Sequence, residues 1–220
     1  IEQSGIFDEI FVQPASGDSG VAVGACFLSS RKKIKDLRPI KEHNYYLGSG
    51  FDNREIEKSL EFKSMIWEKV DNIFSDTAKL LAEGKIVGWF QNRAEFGPRA
   101  LGNRSILTRP YPDTMKDYLN DRVKFRESFR PFAPAILYEY LQEYFEIKQE
   151  SPHMLIASQA TLRAREAIPA VVHVDNSCRV QSVKKDNNEK FYKLLSAFHK
   201  ITGCPVLLNT SFNVANYILP

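Results

Sequence analysis

Hydrophobic and polar positions along the chain follow two rhythms, and each change of rhythm marks an element. From about Ser64 the positions Ile66, Val70, Ile73, Phe74, Thr77, Leu80 and Leu81 recur at a spacing of three and four, which predicts a helix with one buried face. Gly84 is placed to end it in a left-handed turn. Ile86-Val87-Gly88-Trp89-Phe90 is a short apolar run with the pattern of a buried strand, and Ser105-Ile106-Leu107 reads as extended. Thr114-Met115-Lys116-Asp117 resembles a capping box and opens a helix through about Phe125. Ala133 to Leu137 reads as a core strand, Glu139 to Ile147 as a short helix, and the β-branched run Ala170-Val171-Val172-His173-Val174 as a strand. Lys190 to Ile201 is predicted helical, with Leu194, Leu195 and Phe198 inward and Gly203 at its end. A last strand follows at Pro205 to Asn209.

The N-terminal stretch is harder to place. Ile10-Phe11-Val12 reads as a short strand, followed by a turn through Pro14 and Gly17-Asp18-Ser19-Gly20. Val21 to Leu28 is a run of small apolar residues that fits either a buried strand or a close-packed buried helix. The glycine-rich turn before it favours a helix whose first N–H groups face a ligand. Ser29 to Asn53 is polar, basic and aperiodic, and reads as a linker containing a domain boundary. Strands and helices alternate, so the class is α/β.

The composition narrows this frame. With 220 residues, 43% hydrophobic and 26% charged, the chain suits one large or two small globular domains and is wrong for a disordered one. No apolar run approaches the roughly 18 to 20 residues of a membrane span. Ile1 to Ile10 carry Glu2, Asp8 and Glu9 without a basic cluster, which is not a signal-peptide pattern. Cys26, Cys178 and Cys204 are odd in number and far apart, so neither a disulfide framework nor a CxxC metal site is expected, and a reducing cytoplasm is.

The net charge is only +3, but its distribution is uneven. Between Arg93 and Arg130 stand seven arginines and two lysines against five acids. Arginine's planar fork suits bidentate recognition of phosphate and carboxylate. Gly97, Pro98, Pro110, Phe129, Pro131 and Phe132 are interleaved with these cations, a pattern foreign to a solvated basic face, so a phosphate-binding cleft is expected. P-loop and dinucleotide signatures are absent, which assigns anion recognition to side chains. Arg130, set between Phe129 and Pro131 at the entry to an apolar strand, would be costly unpaired, and a bound anion or an acid such as Glu127 or Glu95 would supply its partner. The amides and hydroxyls of Leu208-Asn209-Thr210-Ser211-Phe212-Asn213 fall at a strand's C-terminal end, where open α/β sheets bind ligands. No G-x-S-x-G elbow supports a hydrolase triad.

Arg93-Ala94-Glu95-Phe96-Gly97-Pro98-Arg99-Ala100-Leu101-Gly102-Asn103-Arg104-Ser105, Val123-Lys124-Phe125-Arg126-Glu127 and Phe129-Arg130-Pro131-Phe132-Ala133-Pro134 resemble motifs of the carbamoyltransferase family of nodulation and antibiotic-biosynthesis enzymes. His173-Val174-Asp175, Arg179-Val180-Gln181 and Leu208 to Asn213 follow in that family's order. The resemblance implies the C-terminal part of an O-carbamoyltransferase. Residues 1–55 would be the tail of an actin-like ATPase-fold domain plus linker, and 56–220 a YrdC-like α/β domain with a mixed twisted sheet, lacking its C-terminal end. Such a domain makes carbamoyl-adenylate from carbamoyl phosphate and ATP, and the carbamoyl group then passes to a hydroxyl of a sugar or natural product. By the same resemblance Arg99, Lys124, Arg130, Arg179 and Ser211 hold carbamoyl phosphate and the reacting group, with Lys124, Arg130 and Ser211 in catalytic roles. Met154 would line their pocket, and Asp18 would be a metal ligand whose histidine partners belong to a segment outside this chain. The implied cofactors are ATP with Mg, and Fe or another divalent metal in the complete actin-like domain. The expected partners are carbamoyl phosphate, ATP and a hydroxyl-bearing acceptor, with room for a homodimer and no membrane. The alternative is an RNA-binding YrdC-like module, with Phe96, Phe125, Phe129 and Phe132 stacking on bases.

Overall fold

The computed structural model describes residues 4–8, 10–34 and 45–213. Its centre is a mixed five-stranded sheet in the order β1 (Val87–Phe90), β2 (Arg104–Thr108), β7 (Val206–Ser211), β3 (Ala133–Leu137), β6 (Gln181–Val183). The first three junctions are antiparallel, and β3 pairs with β6 in parallel. A separate antiparallel pair is formed by β4 (Ala157–Gln159) and β5 (Ser177–Arg179).

Helices α3 (Ile73–Ala82) and α7 (Glu189–Thr202) pack against each other and against this sheet. Phe191, Leu194, Leu195 and Phe198 repeat at the helical spacing and are fully buried on α7. Each such side chain contributes about 1.5–3 kcal/mol by leaving water. Asn188 caps the start of α7, accepting from the Phe191 N–H, and Gly203 ends it at φ +71°. Gly84 likewise follows α3 at φ +86°. The helix opened at Thr114 is α4 (Thr114–Leu119), capped by Asp113 and continued by a π turn over Asn120–Lys124. The α/β class, the strands at 87–90, 104–108 and 133–137, and the final helix and strand agree with the sequence reading.

Four expectations are corrected. The helix placed from Ser64 begins only at Ile73, because the Asn72 side chain accepts the Ser75 N–H and fixes the first turn there. Ile66 and Val70 lie in the exposed segment before it. Ile10-Phe11-Val12 forms no strand; the Ile10 carbonyl instead accepts from Gln149 Nε2 at 3.3 Å. The strand expected over 170–174 is a 3-10 turn, Pro169–Val171, since Pro169 has no ladder donor to offer and opens a tight turn. Ala170 and Val171 are buried there, so the apolar run reports a core turn rather than a strand. The stretch at 139–147 is helical only in a 3-10 turn, Tyr138–Tyr140, and α5 (Leu141–Tyr144).

The polar region 29–53 is not a loose linker throughout. Residues through Lys33 continue α1 (Asp18–Lys33), and 35–44 lie outside the described residues. Residues 45–49 then run beside 94–96, with Gly48 N–H to Ala94 O, Ala94 N–H to Ser49 O and Phe96 N–H to Tyr45 O at 2.7–3.0 Å. Helix α2 (Asn53–Phe62) follows, started by a full capping box between Asp52 and Glu55. The Val21–Leu28 run is helical, within α1, yet none of that helix is buried. Helix α6 (Leu162–Ala167) completes the set.

Candidate anion-binding site

Where β7 ends, antiparallel β3 begins, and a cavity of about 380 Å³ opens at this end of the two central strands. Arg99, Lys124, Arg126, Arg130 and Arg179 line it together with Met154, Asn209 and Ser211, and no carboxylate is found among the described residues that line it. The six residues expected to hold carbamoyl phosphate, Arg99, Lys124, Arg130, Met154, Arg179 and Ser211, therefore meet at one place although the first and last lie 112 residues apart in sequence. Asp18 does not join them. It sits exposed in the first turn of α1, and among the described residues no three His, Cys, Asp or Glu side chains gather to hold a metal.

Arg99 is delivered by the 95–104 loop, whose shape depends on Glu95. Glu95 Oε1 accepts from the N–H groups of Leu101 (2.7 Å), Asn103 (2.8 Å) and Arg104 (3.2 Å). This carboxylate organises backbone, and a local ion pair with Arg93 or Arg99 is not what shapes the loop. Beneath it lies a buried amide network. Trp89 Nε1 donates to Gln91, whose Nε2 donates to Asn103 and Asn188 at 2.7 and 2.8 Å. Asn188 Nδ2 reaches Tyr46 Oη at 2.9 Å, and Tyr46 donates on to the Leu101 carbonyl. Burial pushes the Tyr46 phenol well up.

Six of the seven arginines of the basic window divide by role, and the seventh, Arg122, is exposed. Arg93 donates to the carbonyls of Leu47 and Gly48, and Arg104 to four carbonyls while stacking 3.5 Å over Phe90. Arg109 donates to the Ala82 carbonyl. These three hold segments together, whereas Arg99, Arg126 and Arg130 face the cavity. Arg130 pairs with Glu127 at 4.0 Å, with both side chains about half exposed, a pair worth little.

Lys124 is caged. Its ammonium donates to Ser211 O (2.7 Å), Asn213 O (2.9 Å), Asn213 Oδ1 (2.8 Å) and, more weakly, Ser211 Oγ (3.3 Å). Burial and then Arg126 push it down to about 8. Burial, with Arg99 and Arg126 beside it, pushes Arg179 down to about 10. Ser211 Oγ in turn bonds Asn213 Oδ1, with no histidine beside it, which fits hydrogen bonding rather than nucleophilic attack. The one Ser–His–Asp grouping nearby is a turn: Ser177 Oγ lies 3.2 Å from His173 Nδ1 and donates to Asp175, so the aspartate orients the serine instead of the imidazole.

Three buried polar atoms are left without partners among the described residues of this cavity: Arg99 Nε, Arg179 Nε and Asn209 Oδ1. Asn209 lies in the stretch of amides and hydroxyls at the strand end where the sequence predicts ligand binding. Its side chain is 1% exposed, and its Nδ2 is spent on Ala100 O (3.1 Å) and Gln181 Oε1 (2.9 Å). That fixes the amide with its oxygen unpaired. Met154 adds a left-handed backbone at φ +54°, rare for a side chain of its kind.

Comparison with known proteins places this arrangement. The model of the carbamoyltransferase C-terminus matches residues 78–219. The nodulation protein NolNO of Sinorhizobium fredii is 41% identical over 96% of this chain and 32% of its own length. Nodulation protein U of Rhizobium tropici is 37% identical over 97% of the chain and 36% of its own length. The Synechocystis protein sll1178 is 40% identical over 96% of the chain and 39% of its own length. This chain thus spans between about a third and two-fifths of these relatives. A solved structure of full-length HypF in its phosphate- and nucleotide-bound form overlaps 68% of this chain and 18% of its own, at 18% identity and a TM-score of 0.43. Matched across more than half its length, the chain belongs to the carbamoyltransferase C-terminus family.

Proposed function

We propose that this chain is the carbamoyl-phosphate-binding and carbamoyl-adenylate-forming part of an ATP-dependent O-carbamoyltransferase. One observation carries the reading: four arginines and a buried lysine converge on a cavity of about 380 Å³, with no acid among the described residues that line it. Like charges assembled around an acid-free hollow repel one another, and a small dianion relieves that repulsion. Fixed cations aimed at developing charge are also the main device for phosphoryl and acyl-phosphate chemistry.

Arg99, Arg130 and Arg179 clamp the phosphate, and Lys124 adds charge while holding the Ser211–Asn213 turn in place. Atom balance sets the order of steps. Water cleaves carbamoyl phosphate and inorganic phosphate departs; a carbamate oxygen then attacks the α-phosphorus of ATP, and the bond to pyrophosphate breaks. Mg²⁺ would travel with ATP, and no residue of this chain is assigned to it. Asp18 belongs to no group of three His, Cys, Asp or Glu side chains among the described residues. An RNA-binding surface would spread its cations and rings over an open face. Phe125 and Phe129 are exposed, but the cations converge, which favours a small anion.

Asn209 Oδ1 gives the reading its specificity, because an unpaired buried acceptor suits the –NH₂ of a carbamoyl group. An acetyl group offers no N–H there, and an unsatisfied buried acceptor costs roughly 1–3 kcal/mol. Calorimetry on the full chain is expected to show carbamoyl phosphate binding about tenfold or more tighter than acetyl phosphate. Equal affinities would overturn the carbamoyl reading while leaving an anion site.

A further inference from the structure

Asn209 keeps its oxygen for the cavity because its nitrogen is held elsewhere, by Gln181 and by a backbone carbonyl. Gln181 stands on β6, 2% exposed, opposite Ala135 of β3. Its Oε1 accepts from Asn209 Nδ2 at 2.9 Å, and its Nε2 donates to the Leu101 carbonyl at 2.9 Å. The other bond from Asn209 Nδ2 goes to the Ala100 carbonyl at 3.1 Å.

A side-chain amide turned end for end keeps nearly the same shape, so its polarity is set by its partners. Here two backbone carbonyls set it. A carbonyl accepts and cannot donate, so Leu101 O requires the nitrogen of Gln181, which leaves the Gln181 oxygen toward Asn209. That oxygen and the Ala100 carbonyl then take both N–H groups of Asn209. Asn209 Oδ1 is left on the cavity wall, buried and without a partner among the described residues. Ala100 and Leu101 directly follow Arg99 in the chain. The loop that delivers a cavity arginine thus also fixes, through Gln181, the polarity of the amide beside it.

The backbone on either side of Gln181 is clamped by one serine. Ser151 Oγ donates to Val180 O at 2.9 Å, the Ser151 N–H to Ser182 Oγ at 2.8 Å, and the Ser182 N–H to Ser151 O at 2.9 Å. Gln181 therefore has a fixed base from which to hold its neighbour. Stability of the core asks only that a buried glutamine find hydrogen bonds. It does not ask for a chain of amides that ends in an unsatisfied buried acceptor, which costs the fold free energy. A ligand N–H arriving in the cavity supplies the missing partner.

We propose that Gln181 is a positioning residue for carbamoyl recognition: it holds the Asn209 amide with its oxygen toward the cavity, so that the site discriminates a carbamoyl from an acetyl group. The inference rests on reading Asn209 as the acceptor for a carbamoyl –NH₂. Glutamine suits the role where its relatives in size do not. Glutamate could accept from Asn209 but not donate to Leu101, and it would put negative charge behind a wall of five cations. Methionine would fill the volume and do neither.

The test is calorimetry on the full chain with carbamoyl phosphate, acetyl phosphate and inorganic phosphate as probes. Gln181→Met leaves Leu101 O its bond from Tyr46 Oη, and Asn209 its bond to Ala100 O. It is expected to cut the carbamoyl-over-acetyl preference about fivefold, the worth of one neutral hydrogen bond, and to leave inorganic phosphate affinity within about twofold. In an Asn209→Ala background, Gln181→Met is expected to change the preference no further. Gln181→Glu is expected to show the reverse pattern, keeping the preference and weakening inorganic phosphate. It carries the test where Gln181→Met does not fold. An unchanged preference in Gln181→Met, an equal loss for all three probes, additivity with Asn209→Ala, or a preference lost in Gln181→Glu overturns the proposal. With the wild-type preference intact, these failures leave the carbamoyl reading standing. A wild-type chain that binds phosphate without preferring carbamoyl phosphate overturns that reading, and this role with it.

Discussion

Lys124 carries the sharpest conflict between stability and function at the residue scale. Burial and Arg126 hold its ammonium down at about 8, against 10.5 for an ordinary lysine. The unfolded chain therefore holds more protons between those two values, so folding stability contributed by this group rises with pH across that window. Anion binding has the opposite sign, because deprotonation removes one cation from the cavity and loosens the bonds to Ser211 and Asn213. Phosphate affinity measured between pH 7.5 and 9.5 is expected to fall through about pH 8 while the melting temperature does not fall with it. A flat affinity across that range, or the same fall in Lys124→Met, contradicts this role. The cation-rich window showed in sequence that arginines mattered, but not which ones. Arg93, Arg104 and Arg109 face carbonyls, while Arg126 faces the cavity. Only the tertiary path of the chain separates them, since all carry the same charge. Asn209 stands in a stretch the sequence marked for ligand binding, but its unpaired oxygen was not readable, since it exists only because Ala100 and Gln181, distant in sequence, occupy its nitrogen.

Elements with strong periodicity were legible, and those defined by a single polar contact were not. The apolar spacing of α7 survives intact because its four inward side chains are the core. The helix before it in sequence logic, α3, began late because one asparagine cap outweighs two exposed hydrophobics. Helix α2 had a visible signal in Asp52 and Glu55, three apart, hidden within a polar stretch. Strands β4, β5 and β6, each three residues long, are too short for period-two alternation to register. The 95–104 loop is the element on which the site most depends, and Gly102 is its tightest point. It stands at φ +100°, and a Cβ there would come within 2.4–2.5 Å of the Phe191 ring, which is itself fully buried on α7. Gly102→Ala is expected to lose roughly 2 to 4 kcal/mol in chemical denaturation, from overpacking and backbone strain together. A loss within about 0.5 kcal/mol, the range of a neutral surface change, would show that Phe191 has room to move and that α7 does not brace the loop.

For the molecule as a whole, a mixed sheet, two helices and several short segments bring five cations to one end of the central strands β7 and β3. No helix among the described residues is long and apolar enough to cross a membrane. The family motifs made the cavity's residue set readable before any fold was known, since their order in the chain carried the resemblance. How they converge was not readable, because it depends on β7 running antiparallel between β2 and β3. The central claim is that this convergence forms carbamoyl-adenylate. Its most direct measurement is carbamoyl-phosphate-dependent release of pyrophosphate from ATP by the full chain, with Arg130→Ala alongside. Release that requires carbamoyl phosphate and is lost in Arg130→Ala is the predicted result. No release from a chain that binds both substrates, or release undiminished in Arg130→Ala, would contradict it.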